Sequence, residues 1–196
     1  MRAARILCLT VLVAACGPTL APAATASPAG SPASVASAPR IAPPPVSPPA
    51  PPGTHVPAFA CADVSGGKTG VANAVTARIA EQIGYDRFVL QFDAAVPSYT
   101  VKRQATPTFL SGASGQTITL SGTSGVLVNV QTATGAGTFT GPTDLVHDEF
   151  PVLKEARQTE DFEGHLSWGL GLGKAACMRV FTLTDPARLV VDFSTT

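Results

Sequence analysis

Apolar residues recur at every second position along several short stretches of the C-terminal part of the chain. Phe88, Leu90 and Phe92 show this spacing first. The same period recurs at residues 117–121, 126–131 and 188–193. Successive side chains of a β-strand point to opposite faces, so the pattern predicts half-buried strands. The predicted core consists of Phe88, Leu90, Phe92, Leu120, Val128, Leu189, Val191 and Phe193.

Turn-forming residues separate these stretches. Glycine, serine or proline is concentrated at residues 111–115, 121–125, 135–137 and 185–186. Short alternating strands divided by such turns are typical of an antiparallel β-sandwich or barrel, and we predict an all-β sandwich. Residues 71–83 are ambiguous because their alanines would suit a helix. Their β-branched residues favour an extended strand.

The first 16 residues have the pattern of a secretory signal. Arg2 and Arg5 precede an apolar run of about nine residues, and small residues lead to Cys16. The run is too short for a bilayer span, which needs about 20 residues. Residues 12–16 resemble a bacterial lipobox, and we therefore predict a signal peptide over residues 1–15 and lipidation of Cys16. The alternative is an ordinary secretory signal in which Cys16 is incidental.

The segment that follows is rich in proline, alanine and serine. Residues 17–55 hold 12 of the 18 prolines, and Arg40 is their only charged residue. Such a composition buries too little apolar surface to offset the loss of chain entropy, so we predict a disordered tether over residues 16–55. Extended, it would reach about 120 Å. A proline-rich docking ligand is the alternative to a spacer. One folded domain is predicted over residues 56–196.

Two cysteines belong to the folded part. Cys8 lies inside the predicted signal, which leaves Cys61 and Cys177. Outside the cytosol disulfides persist, so an even pair that brackets the domain predicts a Cys61–Cys177 disulfide. Neither cysteine has further Cys or His neighbours, and no metal site is predicted.

Charge argues against several partners. Residues 56–196 carry ten basic and thirteen acidic side chains, a net charge of −3 without any basic block. Nucleic acid is therefore not an expected partner. Residues 65–69 resemble the end of a P-loop, but Ala62 stands where that motif needs glycine. We interpret this segment as a glycine-rich turn and predict no cofactor.

Catalytic patterns are absent from the sequence. No serine stands in a Gly-x-Ser-x-Gly turn. The cluster His147, Asp148 and Glu149 lacks a second histidine at the spacing of a zinc helix, and we interpret it as a solvated acidic loop. Residues 153–160 mix both signs of charge, which is typical of an exposed strand. We predict that the protein is not an enzyme.

Four segments carry a resemblance to a known family. Residues 85–92 and 96–101 resemble the opening of the AMIN-like domain of actinobacterial lipoproteins, and residues 179–183 and 185–193 resemble its ending. The resemblance covers about residues 71–193. It implies a β-rich, non-catalytic module related to the AMIN domains that accompany N-acetylmuramoyl-L-alanine amidases and pilus secretins. From the residues themselves, Asp86-Arg87 and the 185–188 segment suggest turns and a surface ion pair worth about 0–1 kcal/mol.

A binding surface would need exposed aromatic and charged side chains. Such residues dominate recognition energetics, whereas buried ones serve packing. The candidates near predicted strand ends, provided that they are exposed, are Tyr85, Tyr99, Arg103, Arg157 and Trp168. For Trp168 a core position is the competing interpretation.

Three functions are compatible with these features. The first is a lipid-anchored, non-catalytic module on the extracytoplasmic face of the cell membrane that binds cell-wall glycopeptide or a wall protein. The second is a scaffold lipoprotein that recruits an envelope enzyme without wall contact. The third is a small-ligand carrier or hydrolase. The sequence leaves the ligand, the protein partner and the oligomeric state open.

Overall fold

The computed structural model describes residues 56–112 and 114–196, and every regular element among them is a β-strand. The strands are β1 (Val64–Gly66), β2 (Ala72–Gln82), β3 (Tyr85–Phe92), β4 (Tyr99–Gln104), β5 (Thr108–Leu110), β6 (Thr117–Thr119), β7 (Ser124–Gln131), β8 (Ala133–Thr134), β9 (Asp144–Val146), β10 (Leu153–Phe162), β11 (His165–Leu172), β12 (Met178–Thr184) and β13 (Ala187–Ser194). The predicted signal peptide (1–15), the tether (16–55) and Cys16 lie outside the described residues.

Two sheets form the sandwich. The six-stranded sheet has the order β1-β4-β7-β11-β10-β9, and the five-stranded sheet has the order β12-β13-β3-β2-β8. All pairs are antiparallel except the short β2–β8 pair. The all-β sandwich is therefore confirmed. The ambiguous segment forms strand β2, as predicted.

The core lies between the two sheets and contains seven of the eight residues predicted for it. Leu120 is buried elsewhere, against Gly171 on the outer face of the six-stranded sheet. All eight predicted core side chains are at most 4% exposed. Strand β3 shows the cause most clearly, since buried and half-buried residues alternate along its whole length. Burial of such side chains contributes about 1.5–3 kcal/mol each.

Trp168 is the central side chain of this core. It lies on β11, is fully buried, and packs its ring 5.6 Å from Phe88 and 5.8 Å from Phe139. The core interpretation of Trp168 is confirmed, and its place among the candidate binding residues is wrong.

A two-stranded hairpin covers the outer face of the six-stranded sheet. Phe109 on β5 and Leu120, the residue after β6, lie over this face, and both are nearly fully buried. Glycines make the close approach possible. A Cβ on Gly169 would lie 2.7 Å from the Phe109 ring, and one on Gly171 would lie 2.2 Å from the Ser121 carbonyl oxygen. We call this surface the covered face.

The predicted disulfide is present. Cys61 and Cys177 are bonded; their Cα atoms are 4.3 Å apart, and the two residues are 116 positions apart in sequence. The bridge fixes the start of the domain beside β12, and Ala60 exchanges two backbone hydrogen bonds with Met178 there. Within the described part of the chain there is no helix long and apolar enough to cross a membrane.

Candidate functional site: an arginine-rich sheet face

Four arginines share the outer face of the five-stranded sheet. Their strand neighbours Ala77, Phe88, Val180 and Leu189 point into the core, so the alternation of each strand turns the arginines outward. They are Arg78 on β2, Arg87 on β3, Arg179 on β12 and Arg188 on β13. We call this surface the arginine face.

Asp192 holds two of these arginines in place. The strand register sets Arg179 and Arg87 on either side of Asp192. Arg87 donates hydrogen bonds from Nε and Nη2 to the two carboxylate oxygens at 2.7 and 2.9 Å, and Arg179 donates from Nε at 2.7 Å. Asp192 is fully buried, whereas the Arg87 and Arg179 side chains are 28% and 18% exposed. The hydrogen bond to Asp192 raises the pKa of Arg87.

Aromatic rings surround the two guanidinium groups. The Arg179 guanidinium lies 4.5 Å from the Phe59 ring centre and 4.7 Å from that of Tyr85. Arg87 lies 5.1 Å from the Tyr85 ring and 5.6 Å from that of Phe181. Such cation–π contacts orient a guanidinium while its free edge stays in water. Their effect is to present the two arginines as a rigid pair.

The two guanidinium groups retain donors for a ligand. Arg87 uses Nε and Nη2, and Arg179 uses only Nε. Arg87 Nη1 and both terminal nitrogens of Arg179 therefore have no hydrogen-bond acceptor among residues 56–112 and 114–196. Two cations around one carboxylate leave a net positive charge. This arrangement can bind a carboxylate or phosphate through the arginine N–H donors.

Arg78 and Arg188 extend the positive charge across the sheet. Arg78 is exposed and makes one long contact of 3.4 Å to Gln91, while Arg188 donates to the backbone carbonyls of Asp185 and Pro186. The face thus carries four arginines and one aspartate. The rest of the domain has six basic and twelve acidic side chains, so positive charge is concentrated on one side.

Only one of the five predicted binding residues lies on this face. Tyr85 is half-buried between the arginines. Tyr99 is 7% exposed beneath β1, and burial raises the pKa of its phenol. Tyr99 and Trp168 are both too buried to contact a ligand, because their rings pack into the core. Both must be withdrawn from the candidate surface.

The other two predicted residues lie on the six-stranded sheet. Arg103 is exposed on β4 and donates 3.0 Å to the Cys61 carbonyl. Arg157 on β10 is paired with Asp144, and its Nη2 lies 3.1 Å from Glu155. The hydrogen bond that Arg157 donates to Asp144 raises the pKa of Arg157. Both arginines are accessible, but the structure does not bring them together with Tyr85.

The prediction of a surface ion pair at Asp86 is wrong, because Asp86 does not lie at the surface. Asp86 is fully buried on the core side of β3 and accepts hydrogen bonds from the backbone N–H groups of Val152 and Leu153 at 2.7 and 2.8 Å. Arg87 points the opposite way, to Asp192. Sequence reasoning missed this pairing because the two residues are 105 positions apart, although their outward positions on alternating strands were a usable signal.

Residues 153–160 differ from the exposed strand that their mixed charges predict. They begin β10, and Leu153, Glu155, Ala156 and Thr159 are buried. Glu155 accepts a 2.7 Å hydrogen bond from the Ser121 backbone beneath the covering hairpin. These residues are thus buried despite their polar composition, because β10 lies inside the sheet and the hairpin covers it.

The other polar features of the described residues lie apart from one another. The His147 ring contacts the Glu149 carboxylate at 2.6 Å in an exposed loop, as the solvated-loop interpretation predicts. No group of three or more His, Cys, Asp or Glu in the described ranges could hold a metal ion. A groove of about 590 Å³ at the β12–β13 turn has Lys68, Asp93 and Asp185 as its titratable lining. Histidine, serine and cysteine are not among its lining residues.

Comparison with known proteins identifies the family. No curated protein and no solved structure matches the chain. The family model of the AMIN-like domain matches residues 72–195, from the first residue of β2 to just beyond β13. Because this match spans more than half of the chain, the protein belongs to the AMIN-like domain family, whose members are generally non-catalytic modules of the extracytoplasmic cell envelope with cell-wall-related roles.

Proposed function

We propose that this protein is a lipid-anchored module that binds cell-wall glycopeptide through the arginine face. The observation that carries the proposal is the Arg179–Asp192–Arg87 row, which presents unpaired guanidinium donors on a domain that is otherwise acidic. AMIN-like domains belong to the cell envelope. A polymer available in that compartment supplies the complementary groups.

Peptidoglycan offers both kinds of chemistry that this face can recognise. Its stem peptides end in carboxylates, which arginine binds through paired N–H donors. Its sugar rings present apolar faces that stack on aromatic side chains such as Tyr85. Carboxylates therefore meet the arginines, and sugars lie against the flanking rings.

The anchor completes the proposed role. Lipidation of Cys16 would fix the mature N-terminus to the membrane, since each buried methylene of an acyl chain contributes about 0.8 kcal/mol. Residues 16–55 would then let the domain reach the wall, up to about 120 Å away when extended. Replacing Cys16 by alanine should abolish detergent partitioning, and an unmodified N-terminus beyond Cys16 would contradict the anchor.

Wall binding is tested by retention on purified sacculi. Arg78→Glu removes an exposed arginine that has one long contact, so we expect retention to fall about tenfold with an unchanged melting temperature. Lys102→Glu is the matched control, because it makes the same charge change at an exposed position of β4. Retention should also weaken as salt rises.

Two other results would move the wall contact to a different sheet or contradict wall binding. If Arg157→Ala or Arg103→Ala loses retention while Arg78→Glu keeps it, the wall contact belongs to the six-stranded sheet. If the parent protein is not retained at all, the wall-binding function is wrong. A scaffold that recruits an envelope enzyme then becomes the interpretation to test.

A further inference from the structure

A pocket of about 270 Å³ opens at one end of the six-stranded sheet. Arg103 on β4 lies opposite Val126 on β7. Ser124, also on β7, lies opposite Leu172 on β11. Residues directly opposite each other project from the same face of a sheet, and Val126 and Leu172 belong to the core. Arg103 and Ser124 therefore project from the inner face of the sheet, at the end of the core.

Ser124 contributes a buried hydroxyl to this pocket. The residue is 8% exposed, and its Oγ has no hydrogen-bond partner among the described residues. Buried hydroxyls of native proteins are nearly always hydrogen-bonded, because giving up water without a replacement partner is unfavourable. Since Ser124 lines the pocket, an oxygen of a ligand bound there would supply the partner that this hydroxyl lacks.

Arg103 contributes the charge. Its Nη1 donates 3.0 Å to the Cys61 carbonyl, which orients the guanidinium. Its Nε and Nη2 have no acceptor among the described residues, and Arg87 uses the same two nitrogens to hold both oxygens of Asp192. Asp63 accepts a hydrogen bond from the Arg103 backbone N–H and forms no ion pair with its guanidinium. Arg103 thus keeps the edge that binds a carboxylate through two parallel hydrogen bonds.

The two polar groups lie close enough to hold one ligand. Ser124 stands two positions from Val126, the residue opposite Arg103, so Ser124 is the diagonal neighbour of Arg103 across the strands. Diagonal neighbours are about 7–8 Å apart, a distance that long side chains can span. A carboxylate between them can accept from both side chains.

The lining beside these groups is apolar and carries no negative charge. Val126, Leu172, Ala175 and Ala176 are among the lining residues, and Arg103 is the only ionisable one. One positive charge beside short apolar side chains suits a singly charged anion with a small alkyl group. A phosphate fits less well, because placing its additional charge against apolar surface would be unfavourable.

We propose that this pocket binds a small aliphatic carboxylate, with its oxygens on Arg103 and Ser124 and an alanine-sized group against the apolar lining. The C-terminal residue of a peptide and a free short-chain acid share this chemistry. The Cys61–Cys177 disulfide holds two sides of the pocket together, because Cys61 accepts from Arg103 and Cys177 follows Ala176. The pocket is separate from the arginine face and does not depend on the proposed wall binding.

An NMR titration with N-acetylalanine tests the pocket, on the isotope-labelled chain from residue 16 onward with Cys16→Ser. We expect saturable shifts of the Arg103 and Ser124 amides with a dissociation constant of about 1 mM. Arg103→Ala should raise this constant at least about tenfold. Lys102→Ala is the matched control and should leave it unchanged, because Lys102 is exposed on the opposite face of β4.

Ser124→Ala separates binding from stability. It should raise the dissociation constant about tenfold, because the ligand loses a donor. It should not lower the melting temperature, because the hydroxyl that it removes has no partner among the described residues. If Arg103→Ala or Ser124→Ala leaves the affinity for N-acetylalanine unchanged, the proposal is wrong.

Three further probes test the class of ligand. N-acetylalaninamide lacks the carboxylate and inorganic phosphate lacks the alkyl group, so both should bind at least about tenfold more weakly than N-acetylalanine. Propionate distinguishes the two sources: equal affinity assigns the pocket to free short-chain acids, and weaker binding assigns it to peptide ends. The proposal is overturned if phosphate or the amide binds as tightly as N-acetylalanine, or if N-acetylalanine gives no saturable shifts.

Discussion

The two outer faces of the sandwich are closed in different ways. The covered face of the six-stranded sheet lies under a hairpin of the same chain, whose Phe109 and Ser121 fit against glycines. The arginine face of the five-stranded sheet is closed by its own long side chains, which shield Asp192 and Val190 yet keep charged tips near water. The sheet face that the hairpin covers is filled by packed side chains and backbone, whereas the face that arginines cover keeps N–H donors that can bind a ligand.

Gly171→Ala is the change expected to have the largest effect, because it separates the hairpin from the covered face. The new Cβ would lie 2.2 Å from the Ser121 backbone oxygen, and a backbone cannot move aside as a flexible side chain can. Overpacking of this kind costs about 2–3 kcal/mol, which chemical denaturation would measure as a lower free energy of unfolding.

Gly173→Ala is the matched control. Its Cβ would meet only side-chain carbons of Lys154, the nearest being Cε at 2.8 Å, and not a backbone atom, so we expect a change below about 0.5 kcal/mol. Equal losses of stability in the two variants would contradict the view that the hairpin is fitted to Gly171.

Asp192→Asn tests the arginine face, with a smaller expected effect. The amide keeps one acceptor for two guanidinium groups and removes a buried charge. Hydrogen bonds between charged groups contribute about 1.5–3 kcal/mol, reduced here because Arg87 and Arg179 are partly in water. We expect a loss of about 1–2 kcal/mol in the free energy of unfolding.

The exposed pair of Arg157 and Asp144 provides the comparison for that measurement. Both side chains are more than a third exposed, so Asp144→Asn should change the free energy of unfolding by less than about 0.5 kcal/mol. If Asp192→Asn and Asp144→Asn lower the free energy of unfolding equally, the burial of Asp192 does not strengthen its ion pairs.

Sequence predicted the core better than the site, and the reason is the range of the interactions. The alternation at Phe88, Leu90 and Phe92 is local and determines which side chains are buried. The pairing of Arg87 with Asp192 depends on β13 lying beside β3, which no local pattern specifies. The type of a residue did not determine its exposure either. Trp168 suits both a binding surface and a core, and its place at the centre of β11 decided between them.

The smallest effect concerns an exposed contact at the end of the five-stranded sheet. Asp93 accepts hydrogen bonds from the backbone N and the side-chain Nδ2 of Asn73, both at 2.8 Å, and these bonds lower its pKa, the backbone bond more strongly. A carboxylate whose pKa is lower in the folded state stabilises the fold above its unfolded pKa of about 3.9, and this contribution is lost as pH falls through the folded value. Asp93→Asn should therefore lower the free energy of unfolding by less than about 1 kcal/mol at neutral pH, and the difference from the parent should shrink below pH of about 3.9. Denaturation of both proteins across this range measures it, and a difference that stays constant with pH would show that the Asn73–Asp93 contact does not depend on the charge.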